Sequence, residues 1–232
     1  MSSQYLYLFI NIVSIIIPLA WSFERKVYFI RYWKAVLSAI LITMLLFIPW
    51  DIYFTYNGVW GFNSNYLTGL SLFGLPIEEY LFFICIPYAS LFTHEALKHY
   101  IPVNPLHKVS NGLIYFFIFA LCVLIGIGYP NWYTISATVL ALIVIIVLKF
   151  FVRSKNLSRF FFSYFIILIP FFIVNGALTG SFTSEPVVWY NNAENLNIRL
   201  GTIPLEDTIY GLALLFINMS LFDYFKTKKA FN

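Results

Sequence analysis

Leu75-Pro76-Ile77-Glu78-Glu79-Tyr80 returns 128 residues later as Ile203-Pro204-Leu205-Glu206-Asp207-Thr208. Each copy is an apolar-Pro-apolar-acid-acid step at the mouth of a long apolar run. The solvent around these carboxyl groups follows from composition: 61% hydrophobic and 10% charged residues, with a mean hydropathy of +0.82. A soluble domain carries about a quarter charged residues, so the chain reads as an integral membrane protein. Ionisable groups at membrane edges are costly, and a chain that keeps two matched pairs uses them.

Working outward from the motifs, seven runs reach the roughly 17 to 25 residues that cross a hydrocarbon layer. They lie near 4–23, 34–54, 76–97, 110–129, 132–152, 159–178 and 203–225. The first reaches Trp21 without a basic leader, so it is read as a span and not as a cleaved signal. Basic residues cluster after spans one, three and five and at the C-terminus, where Lys226, Lys228 and Lys229 lie; of all 14 Lys and Arg, Arg199 alone falls on the other side. The positive-inside rule therefore predicts a multi-pass cell-membrane protein with its N-terminus outside and its C-terminus cytoplasmic. The net charge of +4 is then a topological signal, helped by anionic lipid, and no nucleic-acid partner is expected.

The repeat extends beyond the acids. Ile48-Pro49-Trp50 and Asn57-Gly58 recur as Ile169-Pro170-Phe171 and Asn175-Gly176, each followed by a loop with Trp60 or Trp189. The expected fold is an all-α bundle of seven transmembrane helices in a 3+1+3 parallel repeat: residues 1–109, a linking span at 110–130, and 131–232. The unmatched fourth span keeps both copies in one orientation, so both acid pairs open toward the outer side.

Glu78-Glu79 after Pro76, Glu206-Asp207 after Pro204, the Trp50-Asp51 step, Val174-Asn175-Gly176-Ala177-Leu178-Thr179-Gly180 and Ile198-Arg199-Leu200-Gly201-Thr202 together resemble the membrane-integral lycopene cyclases. The resemblance runs from Tyr5 to Tyr224 and is to the fused single-chain form. It implies lycopene β-cyclase activity: cyclisation of the linear ends of lycopene, or of a related linear carotenoid, to β-ionone rings without net redox change. It also implies partners among other carotenoid-pathway enzymes and membrane lipid, with no cofactor and no metal.

The chemistry follows from the residues as well. An acid protonates the terminal double bond, the neighbouring double bond closes on the cation, and a base removes a ring proton. Two adjacent carboxyl groups can hold opposed protonation states for this work. Glu78, Glu79, Glu206 and Asp207 are the catalytic candidates. Successive helix residues point about 100° apart, which puts Glu78 over Phe82 and Glu206 over Tyr210, and these two are favoured slightly over Glu79 and Asp207. Aromatic faces would steady a cation, so Trp50, Tyr53, Trp60, Phe82 and Tyr210 are substrate-binding candidates, with Asp51, Asn175 and Asn218 beside them.

Competing readings are blander. Trp and Tyr gather at membrane interfaces regardless of chemistry, and acids near a helix N-terminus complement its dipole. The repeat is poorly explained by capping, for which Ser, Thr or Asn would serve. His94, His99 and His107 lie at or beyond the cytoplasmic end of span three and are expected at the interface. Asn218 is expected to bond another helix. Cys85 and Cys122 lack metal-site spacing. No dinucleotide-binding glycine pattern, no Lys in span seven and no aspartate-rich diphosphate motif occur. A small 3+1+3 transporter remains the alternative, although Asn218 and Thr43 are nearly all the polarity near the midplane.

Overall fold

A computed structural model describes residues 3–229, and the outermost ends of the two expected units, residues 1–2 and 230–232, lie outside the described residues. Seven helices were expected from hydropathy, and the described residues form seven: α1 (Leu6–Trp21), α2 (Trp33–Tyr56), α3 (Ile77–Tyr100), α4 (Ser110–Gly128), α5 (Trp132–Ile146), α6 (Leu157–Leu178) and α7 (Leu205–Lys229). Six are long and apolar enough to cross a membrane. The shorter α1 has 16 residues and is preceded by a 3-10 turn at Ser3–Tyr5. A π-helical turn, Val147–Phe151, extends α5.

Burial is distributed as a lipid solvent demands. Leu41, Leu45, Phe119 and Ile169 point outward, while Asn11, Thr43, Asp51, Thr134, Ser163 and Asn218 are buried. Polar groups have no water to bond in hydrocarbon, so they turn inward and pair. Both α2 and α5 pack on α7. Each carries a small-xxx-small pair, Ala35/Ala39 and Ala137/Ala141, all buried, which lets backbones approach. Asn218 Nδ2 donates to Thr43 Oγ1 at 3.0 Å, tying α7 to α2 as expected. Such a bond is worth about 0.6 to 1.7 kcal/mol in a membrane.

Short strands, not anticipated from the sequence, organise the loops at the acid end. They are β1 (Trp60–Phe62), β2 (Ser71–Leu72), β3 (Leu75–Pro76), β4 (Val188–Tyr190), β5 (Arg199–Leu200) and β6 (Ile203–Pro204). The last three repeat the first three at an offset of 128, as do the start of α7 relative to α3 and the Asn191 cap relative to the Asn63 cap. Hairpins β2-β3 and β5-β6 each lead into an acid-bearing helix. The antiparallel pair β1-β4 joins the two halves with Trp60 opposite Tyr190, Gly61 opposite Trp189 and Phe62 opposite Val188. Because Trp189 is itself the offset equivalent of Gly61, the ladder is centred on a local two-fold. Only glycine fits there: a Cβ on Gly61 would sit 2.3 Å from the Trp189 ring.

The opposite end is held by charges. Lys98 pairs with Asp223 at 2.6 Å and Lys226 pairs with Glu95. Arg159 donates to the carbonyls of Ile101 and Pro102, each at 2.8 Å, and so caps α3. His94 departs from the interfacial expectation. It is fully buried, its Nδ1 lies 2.6 Å from Ser163 Oγ, and its ring packs 5.5 Å from Phe160, because α6 covers that face of α3.

Candidate active site

Each acid motif divides its work by helical phase. Phe73 and Gly74, both with positive φ, make the tight turn of β2-β3, and the returning chain brings the Thr68 amide to Glu78 Oε1 at 2.7 Å. In the second half the Leu196 amide reaches Glu206 Oε1 at 2.8 Å, joined by Thr134 Oγ1 at 2.6 Å. Glu78 and Glu206 are both 0% exposed. The first acid of each pair therefore fastens a loop to a helix N-terminus, where a negative group also complements the dipole. The second acid points about 100° away, into a cavity.

That cavity has a volume of about 490 Å³ and takes residues from both halves, including Glu79, Asp51 and Asp207. Glu79 and Thr93 both line it; at 1.5 Å per residue they stand about 21 Å apart along α3. The space is a cleft, with carboxyl groups at one end and α1, α3, α6 and α7 along its sides. Ile17 on α1 and Ile173 on α6 line it while being more than half exposed, so its mouth opens between these helices onto the surface that faces lipid.

The carboxyl groups have unequal surroundings. Asp207 accepts from three neutral donors: Tyr133 Oη at 2.6 Å, Tyr190 Oη at 2.9 Å and Asn175 Nδ2 at 3.4 Å. Burial, followed by the adjacent Asp207 carboxyl, pushes the Tyr190 hydroxyl well above its usual value, so it remains a donor. Glu79 accepts from the Tyr7 hydroxyl. Asp51 accepts from Trp60 Nε1 at 2.6 Å and from Thr55 Oγ1 at 3.5 Å, and it lines the same cavity as Glu79.

Of the residues expected to contact substrate, Asp51, Trp60, Phe82, Asn175 and Tyr210 line the cavity. Trp50 sits one layer back, 5.1 Å from the Tyr210 ring. Tyr53 faces outward and stacks on Trp132 at 6.2 Å, and Asn218 is occupied by Thr43. The slight preference for Glu78 and Glu206 is not matched by direction, since their neighbours Glu79 and Asp207 face the space. Sequence reasoning missed Tyr7 and Tyr133, the hydroxyl partners of those two acids. Their spacing of 126 residues within the repeat was the available signal.

Aromatic rings enclose the acid end. Tyr133 stacks on Tyr190 at 5.9 Å, Trp60 lies 5.0 Å from Tyr133, and Tyr7 lies 6.4 Å from Phe82. Negative ring faces in a dry site attract a cation, by up to about 2 kcal/mol each. The arrangement can hold an apolar chain, move protons at its tip and steady positive charge there.

A family model described as lycopene cyclase matches residues 4–97 and 129–225, in two segments that leave out α4. The chain is 28% identical over 113 residues to a bifunctional lycopene cyclase/phytoene synthase of Podospora anserina, a match covering 45% of this chain and 18% of that protein. It is 28% identical over 69 residues to a protein of the same description from Aspergillus oryzae, covering 30% of this chain and 12% of the other. The matches thus span less than a fifth of these relatives' lengths. No solved structure matches the chain.

Proposed function

The chain belongs to the lycopene cyclase family, and we propose that it is a lycopene β-cyclase, closing the linear ends of lycopene to β-ionone rings in a redox-neutral isomerisation. One observation carries this reading: Glu79 from one half and Asp207 from the other face a single aromatic-walled cleft that opens sideways toward lipid. A hydrocarbon dissolved in the bilayer enters between α1 and α6 and lays one end against the carboxyl groups. A carboxyl group protonates the terminal double bond, the aromatic walls steady the cation, and a carboxylate removes the ring proton. Positioned acids and bases of this kind contribute about 10² to 10⁴ in rate. Glu78 and Glu206 act as loop anchors.

The proposed topology is seven spans in a 3+1+3 parallel repeat, with units at 1–109 and 131–232 joined by 110–130. Support comes from the common 128-residue offset of strands, caps and acid helices, from the peripheral position of α4, and from the family match on either side of it. An outside N-terminus and cytoplasmic C-terminus in the cell membrane rest on the segregation of basic residues. A transporter lacks support, since Asn218 and Thr43 bond each other.

Expression in a lycopene-producing bacterium, followed by pigment analysis, tests the function. β-Carotene is expected. A different ring isomer, or cyclisation only of another linear carotenoid, would revise the specificity; unchanged pigment with the protein present in the membrane would refute the reading.

A further inference from the structure

The cleft holds three carboxyl groups where the repeat supplies two. Asp51 has no equivalent in the second half, where Phe172 takes its place. It lies near the end of α2, is 2% exposed and lines the cavity together with Glu79 and Asp207. Carboxyl groups buried together in one largely apolar space cannot all ionise, because each has lost its water and each charge disfavours the next. Asp207, by contrast, has three external donors and needs no proton of its own. The halves have become chemically unlike around one space.

Resting on the cyclase reading above, we infer that Asp51 is a third catalytic carboxyl: with Glu79 it holds the proton that starts ring closure, while Asp207 is the base that ends it. The proton on the Glu79–Asp51 pair adds to the terminal double bond, whose π electrons form the new C–H bond. The neighbouring double bond closes on the tertiary cation and makes the ring C–C bond. Asp207 then takes a proton from the ring carbon, and that C–H pair becomes the ring double bond. The pair ends one proton poorer and Asp207 one richer. Return of that proton, directly or through water, restores the site with no electron gained or lost. Trp60 Nε1 and Tyr7 Oη hold the pair from either side, which fixes the donor at the tip of the cleft.

Asp51→Asn keeps the shape and an acceptor for Trp60 but removes the shared proton. In membranes supplied with lycopene in D₂O, the wild-type protein should give cyclic product with one deuteron per ring. D51N should retain co-purifying lycopene at wild-type levels, cyclise at least about 100-fold more slowly, and return unlabelled lycopene. D51E should recover much of the loss. D207N should also fail to cyclise, but should return lycopene labelled at its ends, because protonation still occurs and reverses. D51N activity within a few-fold of wild type, deuterated lycopene from D51N, unlabelled lycopene from D207N, or loss of lycopene binding in D51N without recovery by D51E would each overturn the inference. An inactive wild-type protein would instead overturn the cyclase reading beneath it.

Discussion

Replacing Glu206 separates anchoring from catalysis. Its Oε1 accepts from the Leu196 amide at 2.8 Å and from Thr134 Oγ1 at 2.6 Å, in a site with no solvent access. Glu206→Ala strands both donors, and a buried unsatisfied group costs about 1 to 3 kcal/mol, so the variant should lose about 2 to 6 kcal/mol. That is a large share of a typical 5 to 15 kcal/mol. Glu206→Gln keeps an acceptor oxygen and exchanges two charge-assisted bonds for neutral ones, costing about 2 kcal/mol in all. Thermal unfolding in detergent should therefore rank wild type above E206Q and E206Q well above E206A. Pigment conversion per folded molecule should stay near wild type in E206Q. A well-folded E206Q that no longer cyclises would show that Glu206 carries a proton, and would refute the division between the two acids of each motif.

Tyr133→Phe removes one of three donors to Asp207; cyclisation should fall about 10- to 150-fold with membrane insertion unchanged, measured by initial rate, since a bond to a charged group is worth about 1.5 to 3 kcal/mol. Gly61→Ala should destabilise by about 1 to 3 kcal/mol through its clash with Trp189. Adding Trp189→Leu should recover most of that, as read by unfolding of the single and double variants. Because both acid helices serve one cavity, rings should form one end at a time. A time course with excess lycopene should show monocyclic product before bicyclic, and their simultaneous appearance without a lag would argue against a single site.

The membrane bundle was legible because hydropathy runs of spanning length survive any packing, and α2 through α7 lie close to where those runs fall. The acid motifs were legible because a costly residue was duplicated at matched positions. Which acid faces the cavity was not: α3 and α7 are buried on several sides, so no single apolar stripe sets their rotation, and Glu78 and Glu79 differ only in phase. Tyr7 and Tyr133 sit at helix starts, where aromatics are common at any interface, and only their near-equivalent spacing distinguishes them. The β1-β4 ladder joins three-residue strands 128 residues apart, too short to carry an alternating pattern. His94 near the end of α3 looked interfacial until α6 was laid over it. That Asp51 and Glu79 line one cavity depends on how α2 and α3 cross, which spacing along the chain does not encode.

The most direct measurement is the pigment made by lycopene-producing bacteria carrying wild type, Glu79→Gln or Asp207→Asn at equal membrane abundance. Wild type should convert lycopene to β-carotene, and each variant should leave lycopene essentially unchanged. Conversion by either variant at the wild-type rate would contradict the claim that these two cleft-facing carboxyl groups perform the cyclisation.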